Sequence, residues 1–443
     1  MLRTITIIAA LIFCLAAAAH AQYNVRTFGA VGDGKTKDTA AVQKALDTCA
    51  VNGGGEVLFP PGDYLIGSIQ IGTHTILRLD KEAILRGTPD LSDYPVVDVR
   101  WEGRWELGRR SLIYASNVDH IGILGPGRII GNPAAARGDN MRGALVLEPV
   151  SCNDVRWEDF SVEYSGTWAN HPTYCRDVFI HNLTIRNSRD GIDVDSCDNV
   201  RIDSCDIDTG DDSISLKSGR GMDGARLAKP CENVLITNCS LGDRTFACVG
   251  IGSETSGGID NVRVEHCRFT HTGSWAVYIK TRIGRAGTIE NISVDDVDVE
   301  NARMGFLRIG LTGSGNASTP DDTVEGDTGI PQGRNFRFSN ICLHDVPALA
   351  NVTEISPIKP VDGLSITNIT GTCRKGIVLA NVNNAMLGNI SVTGFSGPLL
   401  ATLNVNGTGL DGTVPYVKSA ASTRPSRRRP TTTSAPTSMP TAP

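Results

Sequence analysis

Apolar residues along this chain fall in short runs with a period of two, and polar turn residues separate them. From Asp63 onward, stretches of four to six β-branched or aliphatic residues alternate with Asn, Asp and Gly. A marker of the form Asn-Val-x-Ile recurs at Asn117, Asp154, Asp177, Asn199, Asn233, Asn261, Asn291, Asn335, Gly363 and Asn389, with gaps of 22 to 44 residues. Such self-similarity marks a solenoid, whose units cannot bury their apolar faces alone. Several short strands per repeat, with room for inserted loops in the longer ones, predict an all-β fold: a right-handed, single-stranded parallel β-helix. A leucine-rich repeat would need a Leu-x-x-Leu-x-Leu pattern, which is missing. A sandwich would need regularly placed hairpin turns.

The first coil differs from the rest. Asn24–Phe28 reads as a strand, and Gly32-Asp33-Gly34 as a turn. Asp38 or Thr39 caps an amphipathic helix through about Cys49, which Gly53-Gly54-Gly55 ends. The glycines follow the wrong order for a dinucleotide fingerprint. A lone helix here would cover the otherwise open end of the solenoid. One insertion, Asp90 to Arg110, carries Trp101, Trp105 and several arginines. It reads as an irregular loop over one face, its aromatics either stacking on sugar rings or packing on the solenoid wall.

Composition narrows this picture. At 443 residues, 40% hydrophobic and 20% charged, the chain suits a folded repeat protein, and the net charge of −6 argues against bulk affinity for nucleic acid. Residues 1–21 have the charged start, apolar run and Ala19-His20-Ala21 cleavage pattern of a secretory signal, so a secreted monomer is expected, with no membrane contact after removal. Export permits disulfides. Yet Cys197/Cys205 and Cys231/Cys239 sit eight apart at matching places in successive repeats, as small residues stacked inside a solenoid would. No cysteine or histidine cluster has zinc spacing, and no cofactor or metal is expected. The solenoid is expected over residues 22–405. Residues 406–443 form a low-complexity tail, Ser/Thr/Pro/Arg-rich from Ser419 and expected to be disordered.

The candidate chemistry lies between Arg189 and Ser218. Asp190 precedes Asp211 by 21 residues, and Asp212 follows at once. Parallel strands lie about 4.8 Å apart, so one coil of that length brings the three carboxyls together. Crowded carboxylates push one pKa up, which suits a proton donor beside a base, as glycosidic cleavage requires. The competing reading is Asp as a turn former. Adjacent residues of a regular strand face opposite ways, so Asp211 and Asp212 share a cleft only across a turn, which Gly210 permits. Asp193, Asp195, Asp203, Asp206 and Asp208 read as turn and scaffold residues.

Asp190-Gly191-Ile192-Asp193, then Thr209-Gly210-Asp211-Asp212-Ser213-Ile214 and Lys217-Ser218-Gly219-Arg220, resemble glycoside hydrolase family 28, the polygalacturonases and related pectin hydrolases. Phe28-Gly29-Ala30, Gly32-Asp33-Gly34, Ile251-Gly252-Ser253-Glu254 and Ile279-Lys280-Thr281 agree in order with that family. The resemblance implies a pectin-lyase-like β-helix and inverting, metal-independent hydrolysis of a pectic polysaccharide. It makes Asp211 the general acid and Asp190 with Asp212 the pair that orients and deprotonates water. It also implies that Lys280 binds a substrate carboxylate. Lys217 and Arg220 read equally as cleft cations or surface charge, and so do Arg282 and Arg285.

Three positions depart from the family pattern. Ser188-Arg189-Asp190 replaces Asn-Thr-Asp, and Arg244 to Cys248 holds no histidine where the family has Gly-His-Gly. Tyr278 replaces the arginine of Arg-Ile-Lys. The last change thins the carboxylate-recognition set, and the tyrosine suits a less charged sugar such as rhamnose. The alternatives are a non-catalytic carbohydrate-binding or adhesive solenoid, and a uronate lyase.

Overall fold

The computed structural model describes residues 21–132, 141–314 and 323–418. All but Ala21 of the expected leader, and the tail from residue 419, lie outside the described residues. Every pair of named strands is parallel except one hairpin, and successive strands stack coil upon coil into a right-handed β-helix. Ile192 lies opposite Ile214, then Val249, Val277, Leu307 and Ala350, one residue per coil. Alternate residues of each strand point inward. Ile192, Val194, Ile214 and Leu216 are fully buried, and equivalent aliphatics above and below them form one continuous core.

Each coil turns its corners through residues with left-handed backbone. Asp154, Asp177, Asn199, Asn233, Asn261, Asn291 and Asn335 all have φ between 51° and 57°, and Gly363 has φ 80°. Asn and Gly tolerate this conformation best, which explains the recurring marker. The amides also bond from coil to coil: Asn261 donates to Asn233 at 2.7 Å, and Asn335 to Asn291 at 3.0 Å. Two of the ten markers belong to other corners. Asn389 donates to Asn368 at 3.0 Å in a second asparagine row, and Asn117 bonds to the carbonyl of Val150 before the following face begins. Sequence similarity among corners hides which corner is meant.

Helix α1 spans Thr39–Val51 and buries Val42, Ala45, Leu46 and Cys49 against the first strands. Asp38 precedes it but does not cap it. Its carboxylate accepts from the Val31 and Gly32 amides at 2.7 and 2.9 Å, tying down the Gly-Asp-Gly turn. The expected strand at Asn24–Phe28 is instead a strand Gln22–Asn24 followed by a 3-10 turn, Val25–Phe28. A second helix, α2, occupies Gly221–Leu227 and was not foreseen. The insertion at 90–110 is also more regular than expected. Val96–Trp101 and Arg104–Arg109 pair as an antiparallel hairpin. Strand pairing continues through Leu400–Thr408 to Val414–Pro415, past the boundary expected at 405.

All eleven cysteines from Cys49 to Cys373 are free, and ten are buried; Cys342 is half-buried. Cys175, Cys197, Cys205, Cys231 and Cys239 sit in the core, as the stacked-residue reading expects. No helix among the described residues is long and apolar enough to cross a membrane.

Candidate active site

One face of the solenoid carries the strands Ile192–Asp195, Ile214–Lys217, Val249–Ile251, Trp275–Lys280 and Gly305–Gly310. Their outward side chains form the floor of a cleft. Loops at the two ends of these strands form its walls. The hairpin crosses over it: Trp101 stacks on Trp168 at 4.1 Å, and Arg100 meets Asp195 at 3.0 Å, both fully buried. Of the two uses open to those tryptophans, Trp101 shows wall packing.

Asp190 and Asp212 occupy equivalent places on adjacent coils, since the Gly191 amide donates to the Asp212 carbonyl at 3.0 Å. The coil here is 22 residues long, as the register of Ile192 on Ile214 shows. Residues 209–213 are not strand but a bend, so Asp211 and Asp212 can both face the cleft. The Thr209 hydroxyl and the Phe246 amide both donate to the Asp211 carbonyl, at 2.9 Å each, and hold that bend. Gly210 is required there: a Cβ would lie 2.2 Å from the Ser188 carbonyl oxygen. The three aspartates line one cavity of about 130 Å³ together with Lys217, Glu254 and Lys280.

Two lysines organise these acids. Lys280 Nζ lies 2.7 Å from Asp212 Oδ2. Lys217 Nζ lies 3.0 Å from Asp193, 3.8 Å from Asp190 and 3.8 Å from Glu254. It also sits 4.4 Å from the centre of the Trp168 ring, a cation–π contact. Burial works against the charge on both lysines. The surrounding carboxylates outweigh it, so both ammonium pKa values rise. Lys217 is therefore an interior cation, not surface charge. Arg220 and Arg285 are buried too, Arg220 beside Glu102 at 3.3 Å and Arg285 donating to the Ser253 carbonyl at 3.1 Å. Arg282 is half-buried beyond the floor, where its backbone bridges to Gly313.

Asp193 corrects the sequence reading. It is a fully buried acid of the site, not a turn residue. Ile192 and Val194 point inward, so the alternation of that strand already turns Asp193 to the cleft. Asp195, Glu254, Trp168 and Arg189 were likewise given no role from sequence. Asp195 faces the same side as Asp193 and anchors the hairpin. Arg189 Nη1 lies 3.7 Å from Asp211. Glu254 is held below the usual carboxylate range despite its burial, chiefly by Lys217 and then Arg285.

The protonation pattern follows from these neighbours. Burial, then Asp193, pushes the Asp190 carboxyl well up, and Lys217 opposes them. Burial, then Asp212, raises Asp211, with Lys280, Lys217 and Arg189 pulling it down. Asp211 is also the accessible acid, its side chain 38% exposed against 7% for Asp190 and 3% for Asp212. Cations already stand among the acids in the form of two ammonium groups. Among the described residues, the one grouping of three side chains able to hold a metal is Asp298, Cys342 and His344, on strands of another face.

A parallel β-helix that bears carboxyls raised by burial and by one another in an open cleft has the acid pair that hydrolysis of a glycosidic bond needs. Residues 57–308 match the family model of glycosyl hydrolases family 28, and residues 22–81 match that of rhamnogalacturonase A/epimerase, pectate lyase-like. A probable polygalacturonase of Vitis vinifera is 30% identical over 363 residues, 77% of this chain and 72% of that protein. Among solved structures, the Yersinia enterocolitica family 28 exopolygalacturonase aligns with a TM-score of 0.72 at 19% identity, over 87% of this chain and 77% of that one. The hyperthermoactive exopolygalacturonase from Thermotoga maritima aligns with a TM-score of 0.65 at 23% identity, over 83% and 92%. The chain belongs to glycosyl hydrolases family 28 and is a polygalacturonase-like glycoside hydrolase.

Proposed function

We propose that this protein is exported and hydrolyses a pectic, uronate-containing polysaccharide by single displacement with inversion at the anomeric carbon. Asp211 is the general acid. The observation that carries this reading is the contrast among the three aspartates: Asp211 has a raised pKa and stands open to the cleft, whereas Asp190 and Asp212 are buried behind it. A carboxyl that keeps its proton where substrate can reach it is placed to protonate a leaving glycosidic oxygen. Asp212 and Asp190 handle the water. Asp212 is held by Lys280 and takes the proton. Asp190, whose carboxyl is pushed up by burial and then by Asp193, orients the water by a hydrogen bond.

Lys217 balances Asp190, Asp193 and Glu254, and so keeps a dense acid cluster folded. Lys280 keeps two donors beyond the one on Asp212, and these are available to a substrate oxygen. Tyr278 and Arg282 extend the binding surface beyond the acids. A larger cavity of about 380 Å³ lies on the other side of Asp211, lined by Arg142, Arg189, Trp101 and Trp168. Arg142 already pairs with Glu106 at 2.8 Å, and Glu102 shares the cavity; Arg189, 62% exposed, is the guanidinium placed to meet a uronate carboxylate.

The test is a reducing-end assay on separate pectic backbones, with the anomer of the first product followed by NMR. Inverted product is expected. Retained anomer would overturn the single-displacement mechanism, and an unsaturated, ultraviolet-absorbing product would identify a lyase instead.

A further inference from the structure

Past the corner at Asn340, an outer face of the solenoid carries three metal-ligating side chains from two adjacent coils. In the strand Gln332–Val346, Ile341 and Leu343 are buried, so Cys342 and His344 both point outward. In the strand Thr288–Glu300, Val297 and Val299 are buried, so Asp298 points outward on the same side. The register sets Asp298 opposite Cys342 and Glu300 opposite His344. The thiol of Cys342, a ring nitrogen of His344 and a carboxylate oxygen of Asp298 all lie within 4.8 Å of one another.

Their neighbours leave this group open to a ligand. Arg268 stands opposite Asp298 on the preceding coil, yet its guanidinium turns to Glu300 at 3.1 Å. Asp298 instead faces His344, whose Nε2 is 3.8 Å from its carboxylate, and both side chains are more than half exposed, at 61% and 51%. Cys342 is the exception among the described cysteines, the other ten being buried. Ligand atoms held at about 2.0–2.3 Å by one tetrahedral zinc ion stand roughly 3.5 Å apart. His344 and Asp298 are already near that separation, and exposed side chains close the rest by shifts of about 1 Å. A soft thiolate beside an imidazole and a carboxylate favours zinc over calcium or magnesium, which take oxygen ligands. Three protein ligands leave the fourth position to water.

We propose that Asp298, Cys342 and His344 bind one zinc ion, which staples two coils of the solenoid together. The coil it closes runs 44 residues from Asn291 to Asn335, twice the 22 residues from Ile192 to Ile214. Its extra residues leave the strands after Gly310 and return at Gln332. A clip across a long loop removes more unfolded-chain entropy than one across a short loop. The site lies on a different face from Asp211, so the ion acts on stability and leaves the chemistry of the cleft alone. No zinc spacing marks it in the sequence, because its third ligand comes from the preceding coil.

The experiment treats the full folded protein with EDTA, removes the chelator and titrates zinc chloride by calorimetry. One ion per chain is expected, with a micromolar or tighter Kd. The melting temperature should rise by about 3 °C at roughly a hundred-fold excess over Kd. Cobalt in place of zinc should give the near-ultraviolet absorption of a thiolate–metal bond, and Cys342→Ser should abolish it. Cys342→Ser, His344→Ala and Asp298→Asn should each weaken zinc binding by about ten-fold or more. In the wild type, zinc should also protect Cys342 from a thiol reagent, a readout that needs no variant to fold. No saturable zinc binding, binding that none of the three substitutions weakens, or an unprotected Cys342 overturns the site. Binding at these residues without a rise in melting temperature overturns the staple.

Discussion

Lys280 meets Asp212 across an intervening coil. Asp212 precedes the strand Ile214–Lys217, Lys280 ends the strand two coils further on, and Gly250 lies between them. The ammonium reaches Asp212 Oδ2 at 2.7 Å because Gly250 has no side chain; a Cβ there would lie 2.4 Å from the same oxygen. Gly250→Ala must therefore push Asp212 aside. Misplacement of about 1 Å costs on the order of 10²-fold in rate. We expect a loss of that size in kcat, with the melting temperature nearly unchanged because only one side chain has to move. Lys280→Met should cost about 10²–10³-fold, as the loss of a preorganised charged donor does elsewhere. Steady-state kinetics on a pectic substrate reads both; normal kcat in either variant would remove Asp212 from the water-handling role.

Asp211→Asn keeps size and shape but has no proton to give. General acid–base groups contribute about 10²–10⁴-fold, and a loss in that range is expected, without change in circular dichroism. The activity of this variant should recover selectively on substrates with a good leaving group, which need no protonation. Near-normal turnover of the polysaccharide would assign the acid elsewhere.

The fold and the three aspartates are legible in the chain because both depend on local spacing. Asn and Gly mark corners that need a left-handed backbone, and a short 22-residue coil carries Asp190 onto Asp212. The partners were less legible because they come from far away in sequence. The hairpin arginine Arg100 reaches the cleft only once the insertion at 96–109 folds over it. Asp193 was missed for a different reason. Its strand shows it facing out, but in a chain rich in turn aspartates its type alone carries little information. Lys217 reads equally as a cleft cation or as surface charge until three buried acids are seen around it.

Asp190 gives stability a predictable pH dependence. Its carboxyl is raised well above the ordinary 3.8 by burial and Asp193. Between those two values the folded chain holds a proton that the unfolded chain has released. Stability then falls as pH rises across that window. Asp190→Asn removes the titrating group. Its melting temperature relative to wild type should therefore climb between pH 4 and pH 8. Thermal melts across that range give the answer, and a constant difference would mean that Asp190 is ionised when folded.

Ten of the eleven cysteines from Cys49 to Cys373 are buried as free thiols, and Cys342 alone is partly open. In the protein without residues 1–21, and so without Cys14, a thiol reagent should therefore modify about one group rapidly in the native state and all eleven once it is unfolded. Fewer reactive groups after unfolding without reductant would reveal disulfides.

A buried ion pair, Arg100 with Asp195, helps to anchor the hairpin over the cleft. Burial alone would push the Asp195 carboxyl up; Arg100 and His171 outweigh it and hold it below the usual range. Because that pKa is depressed, the pair stabilises the fold above the ordinary carboxylate range, and the contribution fades as pH falls. Removing one partner of a buried pair strands the other's charge, at a cost of about 3–5 kcal/mol. Arg100→Met should lose that much stability at neutral pH and less in acid. Asp195→Asn combined with it should recover most of the loss, since no charge is then left unpaired. The hairpin also brings Trp101 onto Trp168, and Trp168 lies under Lys217. The single variant should therefore also raise KM on polymeric substrate, and the double variant should restore it. Denaturant melts at two pH values with parallel kinetics test the chain of contacts. If the double variant is as unstable as the single one, the pair does not anchor the hairpin.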